Sequence, residues 1–174
     1  MPNWNDFYNI VVSDIEGDFV IQKQEDKSVH LLFDLNGKTF TWIMDNDAEV
    51  LADNAVYREA RGDVLIAGLG IGYEHYMLAN TEGVNSITTV EKESSVITLV
   101  SNYLSSPKLS IVNDRILNYL QTTDKKFDVV YFDVFLQDPI FYQEEVRILT
   151  EAAQRVLNDG GRVLFWKQYR PLEL

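Results

Sequence analysis

The chain has 174 residues, with 15 Lys and Arg against 27 Asp and Glu, and its formal net charge of −12 argues against gripping a nucleic-acid backbone. Cysteine is absent, which excludes disulfide scaffolds, thiol nucleophiles and Cys-ligated zinc, and His30 and His75 stand far apart, so no metal site is expected. Apolar runs fall far short of the roughly 20 residues that span a bilayer, and the opening MPNWNDFYNI is unlike a secretory leader, so the expectation is a cytoplasmic protein with no membrane partner.

In chain order, residues 7–13 and 19–23 are rich in β-branched and aromatic side chains and flank Gly17-Asp18, which predicts two strands. Residues 29–34 and 38–43 flank Asn36-Gly37. Both of those residues tolerate positive φ, so the pair predicts a tight hairpin. Together these runs predict an antiparallel meander of four strands. At Asp45 the pattern changes. Asp45, Asp47 and Glu49 suit the positive end of a helix dipole. Val50, Leu51, Ala55, Val56 and Ala60 follow at helical spacing, with Gly62 placed to end the helix.

Beyond residue 63, strands alternate with helices. The predicted strands are 64–67, 86–90, 109–112, 127–132 and 162–166. The predicted helices are 73–80, 94–104, 116–120 and 140–157, the last stopped by Gly160-Gly161. Five strands separated by helices imply parallel pairing through right-handed crossovers. The predicted fold is α/β: a doubly wound, mostly parallel, Rossmann-like sheet over residues 45–174, carrying an N-terminal antiparallel β-meander over 1–44.

In open α/β sheets, ligands bind beyond the carboxyl ends of the strands, so each strand end is a candidate. The first is followed by Gly68, Gly70 and Gly72, in Gly-Leu-Gly-Ile-Gly. Glycines between a strand and a helix let a ligand approach bare backbone, although a tight turn alone would also use them. The second ends in Glu91, 21 residues after Gly70, a spacing that suits a carboxylate accepting from both hydroxyls of a ribose. The alternative is an exposed acid in a charged cluster with Lys92 and Glu93. After the third strand, Asp114 either accepts from the exocyclic amine of a nucleobase or caps the next helix. The fourth ends in Asp133, where a carboxylate is suited to substrate contact or general-base work; Asp138 follows, with helix capping as its rival role.

A glycine loop, a ribose acid, a nucleobase acid and a strand-end acid, in this order, resemble the S-adenosylmethionine-dependent methyltransferase fold from about residue 63 to 166. Val64-Leu65-Ile66-Ala67-Gly68 is apolar where most such methyltransferases carry an acid, as in the spermidine synthase branch. Phe127-Asp128-Val129-Val130-Tyr131-Phe132-Asp133 is similar to that branch's strand with its catalytic aspartate, and a β-rich N-terminal segment is a further shared trait. The loop departs from the synthases' Gly-Gly-Gly-Asp-Gly-Gly, with Ile71 in the acid's place. Tyr57-Arg58-Glu59 echoes their Tyr-His-Glu but stands closer to the loop. The chain ends soon after the fifth strand, which reads as a shortened version of that fold.

The resemblance implies a transferase using S-adenosylmethionine or decarboxylated S-adenosylmethionine, held by Gly68, Gly70, Gly72, Glu91, Lys92 and Asp114, with Asp133 catalytic. Its acceptor would be a small molecule or a protein. Methyl transfer leads because the loop lacks the synthases' acid. Aminopropyl transfer to a cationic amine is the close alternative, and a non-catalytic cofactor-binding domain is the third. A nicotinamide-dinucleotide site fits less well, since the loop lacks G-x-G-x-x-G spacing. Calcium at residues 45–56 fails, because Val50 and Val56 replace the Gly and Glu that an EF-hand loop needs. The edge position expected for strand 162–166, together with Phe7, Phe19, Phe33 and Trp42, predicts a homodimer or larger homo-oligomer.

Overall fold

Asn3 sets the first element in motion. Its side chain accepts from the Asp6 N–H and the Asp6 carboxylate accepts from the Asn3 N–H, both at 3.1 Å, which closes a capping box around helix α1 (Trp4–Ile10). Trp4, Phe7 and Val11 then fall on one face and are buried. The expected strand at 7–13 is therefore a helix through residue 10. Its aromatic content suggested a strand, but the cap and the i, i+3, i+7 spacing decide the outcome. The computed structural model describes residues 3–45, 56, 59–134 and 139–165.

Four strands follow as an antiparallel sheet in the order of the chain: β1 (Asp14–Glu16), β2 (Phe19–Lys23), β3 (Val29–Leu35) and β4 (Lys38–Asp45). The meander is present as expected, with a short β1 in place of the strand expected at 7–13. At the β3–β4 hairpin Asn36 and Gly37 take φ of 54° and 76°, and Leu35 pairs with Lys38. Two left-handed central residues give the turn the right-handed twist of the strands it joins. The β3–β4 register shifts between Leu31 and Leu32, opposite Ile43 and Thr41, so Trp42 occupies a bulge. Asp45 is the last residue of β4; the rest of the expected helix, apart from residues 56 and 59–62, lies outside the described residues. Near its expected end the Ala60 N–H donates to the Val56 carbonyl at 2.7 Å, and Gly62 opens the next strand at φ 67°.

The second sheet contains β5 (Gly62–Ala67), β6 (Val84–Glu91), β7 (Leu109–Asn113), β8 (Phe127–Phe132) and β9 (Leu157–Phe165). All neighbours are parallel, in the order β7-β6-β5-β8-β9. The connections carry α2 (Tyr73–Ala79), α3 (Ser94–Ser101), α4 (Ile116–Thr122) and α5 (Pro139–Gln154). The Rossmann-like alternation is as the hydrophobic pattern predicts, with boundaries corrected: α3 ends at Ser101 instead of residue 104, and β9 opens at Leu157 instead of residue 162. Helix α5 ends at Gln154, and Gly160-Gly161 sits inside β9 instead of terminating the helix. Residues 158–161 loop out where the β8–β9 register shifts, since Phe127 pairs with Leu157 but Val129 with Arg162. Gly160 has φ 78° and a Cβ on Gly161 would lie 2.9 Å from the Asn158 carbonyl, so the excursion needs both glycines.

The sheets share a core. Phe7 of α1, Ile21 of β2 and Leu31 of β3 pack in one cluster with Leu69, Ile71 and Tyr73 and with Leu99 and Val100 of α3. The N-terminal sheet is thereby fixed against the stretch that follows β5.

One buried group stands out. His75 of α2 is 1% exposed and neither ring nitrogen has a hydrogen-bond partner among the described residues. Burial pushes its pKa down from 6.5 to about 3, so it is neutral when folded. Between those values the unfolded chain binds a proton that the folded chain does not, so stability falls as pH falls from 6.5 towards 3. From pH 6.5 to 4.5 this residue removes roughly 2 kcal/mol. Urea titrations across that window should show the loss in the parent and a flatter profile in His75→Leu.

Candidate functional site

At the carboxyl ends of the parallel strands, β5 has β6 on one side and β8 on the other. The chain leaves β5 towards β6 and returns on the far side at β8, so the switch point lies between β5 and β8, where ligands of such sheets bind. Gly68 sits at that point. Its N–H donates to the Val90 carbonyl of β6 at 2.9 Å, and the Asp133 N–H donates to the Ala67 carbonyl at 3.0 Å. Gly68 has φ 96°, and a Cβ there would lie 2.5 Å from the Asp133 carbonyl oxygen. Only glycine lets the two strand ends close on each other.

The other residues of the loop have distinct tasks. Leu69 and Ile71 are buried in the shared core and anchor it. Gly72 takes φ 83° and precedes α2, where a Cβ would press on Val100 and Leu104 at 2.9 Å. Gly70 takes φ 53°, and the atom nearest to its missing Cβ is Ile43 Cδ1 at 3.1 Å. Strand β4 therefore lies against the glycine loop. Tyr103, beyond α3, adds a clamp by donating from its hydroxyl to the Ile71 carbonyl at 2.7 Å. Burial, then the charge of Asp45, raises the Tyr103 pKa, which keeps the phenol a donor.

Glu91 ends β6 and is 9% exposed. One carboxylate oxygen accepts from the Leu69 N–H at 3.0 Å and the other from the Glu93 N–H at 2.8 Å. Glu91 is thus tied to the glycine loop itself, a link the 21-residue spacing does not reveal. A carboxylate has about four lone-pair sites, so each oxygen keeps capacity for a further donor such as a ribose hydroxyl. The expected alternative, an exposed surface acid, is corrected by this burial. Lys92 next to it is half-exposed, with Nζ 3.5 Å from Glu93 and 5.7 Å from the centre of the Trp42 ring.

Asp114 holds a different network. Its carboxylate accepts from the Arg115 N–H at 2.7 Å and from the Asn118 amide at 2.7 and 2.9 Å, and its N–H donates to the Glu91 carbonyl at 3.1 Å. It orders the start of α4 while Arg115 occupies the cap position. The Asn113 amide donates to the carbonyls of Glu91 and Lys92 at 2.9 and 3.0 Å, fixing the ends of β6 and β7 together. Asp133 immediately follows β8 and is half-buried. Gly68, Glu91, Asp114 and Asp133 thus lie at the carboxyl ends of four adjacent strands, β5, β6, β7 and β8, which these bonds tie to one another. Asp138, Tyr57 and Arg58 lie outside the described residues, and Glu59 pairs with Arg162 at 2.7 Å. Tyr103, Asn113 and Ile43 support the site without any sequence signal for it. Each acts through the backbone or packing of a segment distant in sequence, and no local pattern marks them.

A cleft of about 380 Å³, lined by Arg61, Gly62, Asp128, Asp159 and Gly160, lies at the opposite, amino end of the sheet. The Asp128 carboxylate accepts from the Asp63 N–H at 2.8 Å and from the Asn158 amide at 2.9 Å, and these bonds lower its pKa. This cleft is built from structural ties and stands apart from the switch point. Among the described residues no group of three or more His, Asp or Glu is placed to hold a metal, and no helix is long and apolar enough to cross a membrane.

No family model matches the chain. The chain is similar to the polyamine aminopropyltransferase of Serratia proteamaculans (strain 568), with 33% identity over 108 residues, 56% of this chain and 37% of that protein. It therefore spans little more than a third of the length of this curated relative. A spermidine synthase solved with the transition-state analogue AdoDATO shares the fold at a TM-score of 0.59 and 21% identity, covering 88% of this chain and 54% of its own. The spermidine synthase of Thermotoga maritima does so at 0.58 and 18%, with 88% and 55% covered. The 88% coverage reaches beyond the parallel sheet, so the N-terminal meander is part of the shared architecture. The resemblance to the spermidine synthase branch of the methyltransferase fold holds in both sequence and fold.

Proposed function

We propose that this chain is a transferase of the S-adenosylmethionine-dependent class whose donor site is the switch point at the carboxyl end of the parallel sheet. The single observation that carries this reading is the Glu91 carboxylate, buried at the end of β6 and bonded to the glycine loop through the Leu69 N–H. A ligand resting on the loop and sharing its two hydroxyls with Glu91 would meet Asp133 across the end of β5. The residues fit such a donor: a loop with positive φ at all three glycines, and a carboxylate with acceptor capacity remaining.

A sulfonium donor supplies its own leaving group, so positioning is the main task of the protein. Asp133 would hold the acceptor amine and take the proton that amine gives up. Glu91 and the loop would fix the adenosyl portion. Aminopropyl transfer to an amine takes the lead through the likeness to a polyamine aminopropyltransferase. Methyl transfer has one observation in its favour: Ile71, in the place of the synthases' loop acid, is 1% exposed in the apolar core, so no carboxylate stands there.

Calorimetry with S-adenosylmethionine, its decarboxylated form and 5′-methylthioadenosine tests the site, and turnover with putrescine tests the transfer. Glu91→Gln should weaken all three ligands by about tenfold or more, since hydrogen bonds to a charged group are worth roughly 1.5–3 kcal/mol. The amide also turns an N–H donor towards one of the two backbone N–H groups. Equal affinity in parent and variant would remove Glu91 from the site. Binding without turnover of any donor would leave a cofactor-binding module.

A further inference from the structure

We propose that Trp42, carried by the N-terminal sheet, forms an aromatic wall of the adenosyl site and contacts the bound nucleoside. This rests on the donor site described above and goes beyond it, because that site was assigned to the parallel sheet alone. The placement follows from four observations. Ile43 Cδ1 is the nearest atom to the missing Cβ of Gly70, so β4 borders the glycine loop directly. Asp45, at the end of the same strand, lies near enough to Tyr103 to raise its pKa, and Tyr103 bonds the loop at Ile71. The Lys92 ammonium, one residue after Glu91, stands 5.7 Å from the Trp42 ring centre. Trp42 and Ile43 thus bridge the two features that define the site, the loop and the ribose acid.

The ring is supported but not covered. Phe19 and Phe33 pack on it in T-shaped arrangements at interplanar angles of 71°, with centroids 5.9 and 5.7 Å away. The bulge opposite Leu31/Leu32 is what brings Trp42 to that cluster while Ile43 still pairs with Leu31. Trp42 nevertheless remains 47% exposed. An indole braced by two phenyl rings, half-exposed and reached by the lysine next to the acid suited to ribose, is preorganised for a nucleoside. Lys92 has a weak hold on the ring at that distance and a competing partner in Glu93 at 3.5 Å, so it can move aside.

The test uses the full chain and two probes, 5′-methylthioadenosine and S-adenosylmethionine, with calorimetry and tryptophan emission. Adding either nucleoside to the parent should change the emission. Trp42→Phe should retain binding within about threefold, because its smaller ring still packs on Phe19 and Phe33, and should lose that change. Trp42→Ala should bind both probes at least about tenfold more weakly, in the range that loss of one base–aromatic contact produces. Circular dichroism of each variant separates this from unfolding, and Trp42→Phe keeps the proposal testable should the alanine variant fail to fold. An emission change that persists in Trp42→Phe, or parent-like affinity in a folded Trp42→Ala, overturns the proposal and leaves the donor site standing. A parent that binds neither probe overturns both.

Discussion

Gly68→Ala is expected to abolish binding of adenosyl ligands and to lower the stability of the chain by about 3 kcal/mol. Two penalties combine. The alanine must hold φ 96°, outside the regions that L residues populate readily. Its Cβ would also lie 2.5 Å from the Asp133 carbonyl oxygen and 3.3 Å from Val134 Cγ1. The first of these contacts is with backbone, which cannot rotate away. Relief requires β5 and β8 to part at their carboxyl ends, which lengthens the bond from the Asp133 N–H to the Ala67 carbonyl. The expected readouts are a lower urea midpoint and no heat of binding. Gly70→Ala provides the contrast. There the Cβ meets only the flexible end of Ile43 at 3.1 Å, so the cost is mainly that of φ 53°. A Gly68→Ala protein that unfolds at the parent's midpoint and binds normally would show that the strand ends are not held by this contact.

The same neighbourhood shows why part of the architecture was legible in the sequence and part was not. Strands β5 and β8 carry the apolar runs 64–67 and 129–132 because both faces of the parallel sheet are covered. Such runs announce themselves, and residues 127–132 match β8 to the residue. The Asn36-Gly37 turn was legible for a local reason too, since its φ requirement selects two residue types. Helix α1 was not. Its capping box involves only Asn3 and Asp6, while Trp4, Phe7 and Val11 carry the aromatic and β-branched character of a strand. The Gly160-Gly161 pair reads as a helix end because glycines commonly follow helices. Here they serve a bulge whose cause is the register against β8, a contact about 30 residues away.

The site divides along the same line. Residue types at strand ends were readable: Gly68, Glu91, Asp114 and Asp133 all lie at the carboxyl edge of the sheet. Their bonds were not. Nothing in the order of residues states that Glu91 accepts from the Leu69 N–H, or that the side chain of Asp114 is spent on Arg115 and Asn118. The contribution of the meander was the least accessible. Ile43 reaches the glycine loop and packs on a shared core of Phe7, Leu31, Leu69 and Tyr73, and that core exists only once both sheets have formed. This also makes the meander part of the environment of the loop, so truncating it would expose Leu69 and Ile71.

Asp133→Asn is expected to keep ligand affinity near that of the parent and to lose about 10²- to 10⁴-fold in turnover. The placement supplies the reason. Asp133 follows the last paired residue of β8, Phe132, and its N–H bonds to the end of β5 at 3.0 Å, so its backbone is fixed at the switch point. Adenosyl ligands would engage the other flank, where Glu91 and the loop lie. An acceptor amine approaching from the β8 side would meet Asp133 first. Ionised, it can hold an ammonium group and accept the proton released as the new bond to nitrogen forms. Asparagine keeps the size and a carbonyl acceptor but has no charge and takes no proton. The N–H bond to Ala67 is made by backbone and survives the change, so fold and donor affinity should survive with it. Single-turnover rates with saturating donor and putrescine, beside calorimetry of the donor alone, separate the two effects. A variant that loses donor affinity in proportion to its rate would place Asp133 among the residues that hold the adenosyl ligand. Parent-like turnover would assign the proton to another group.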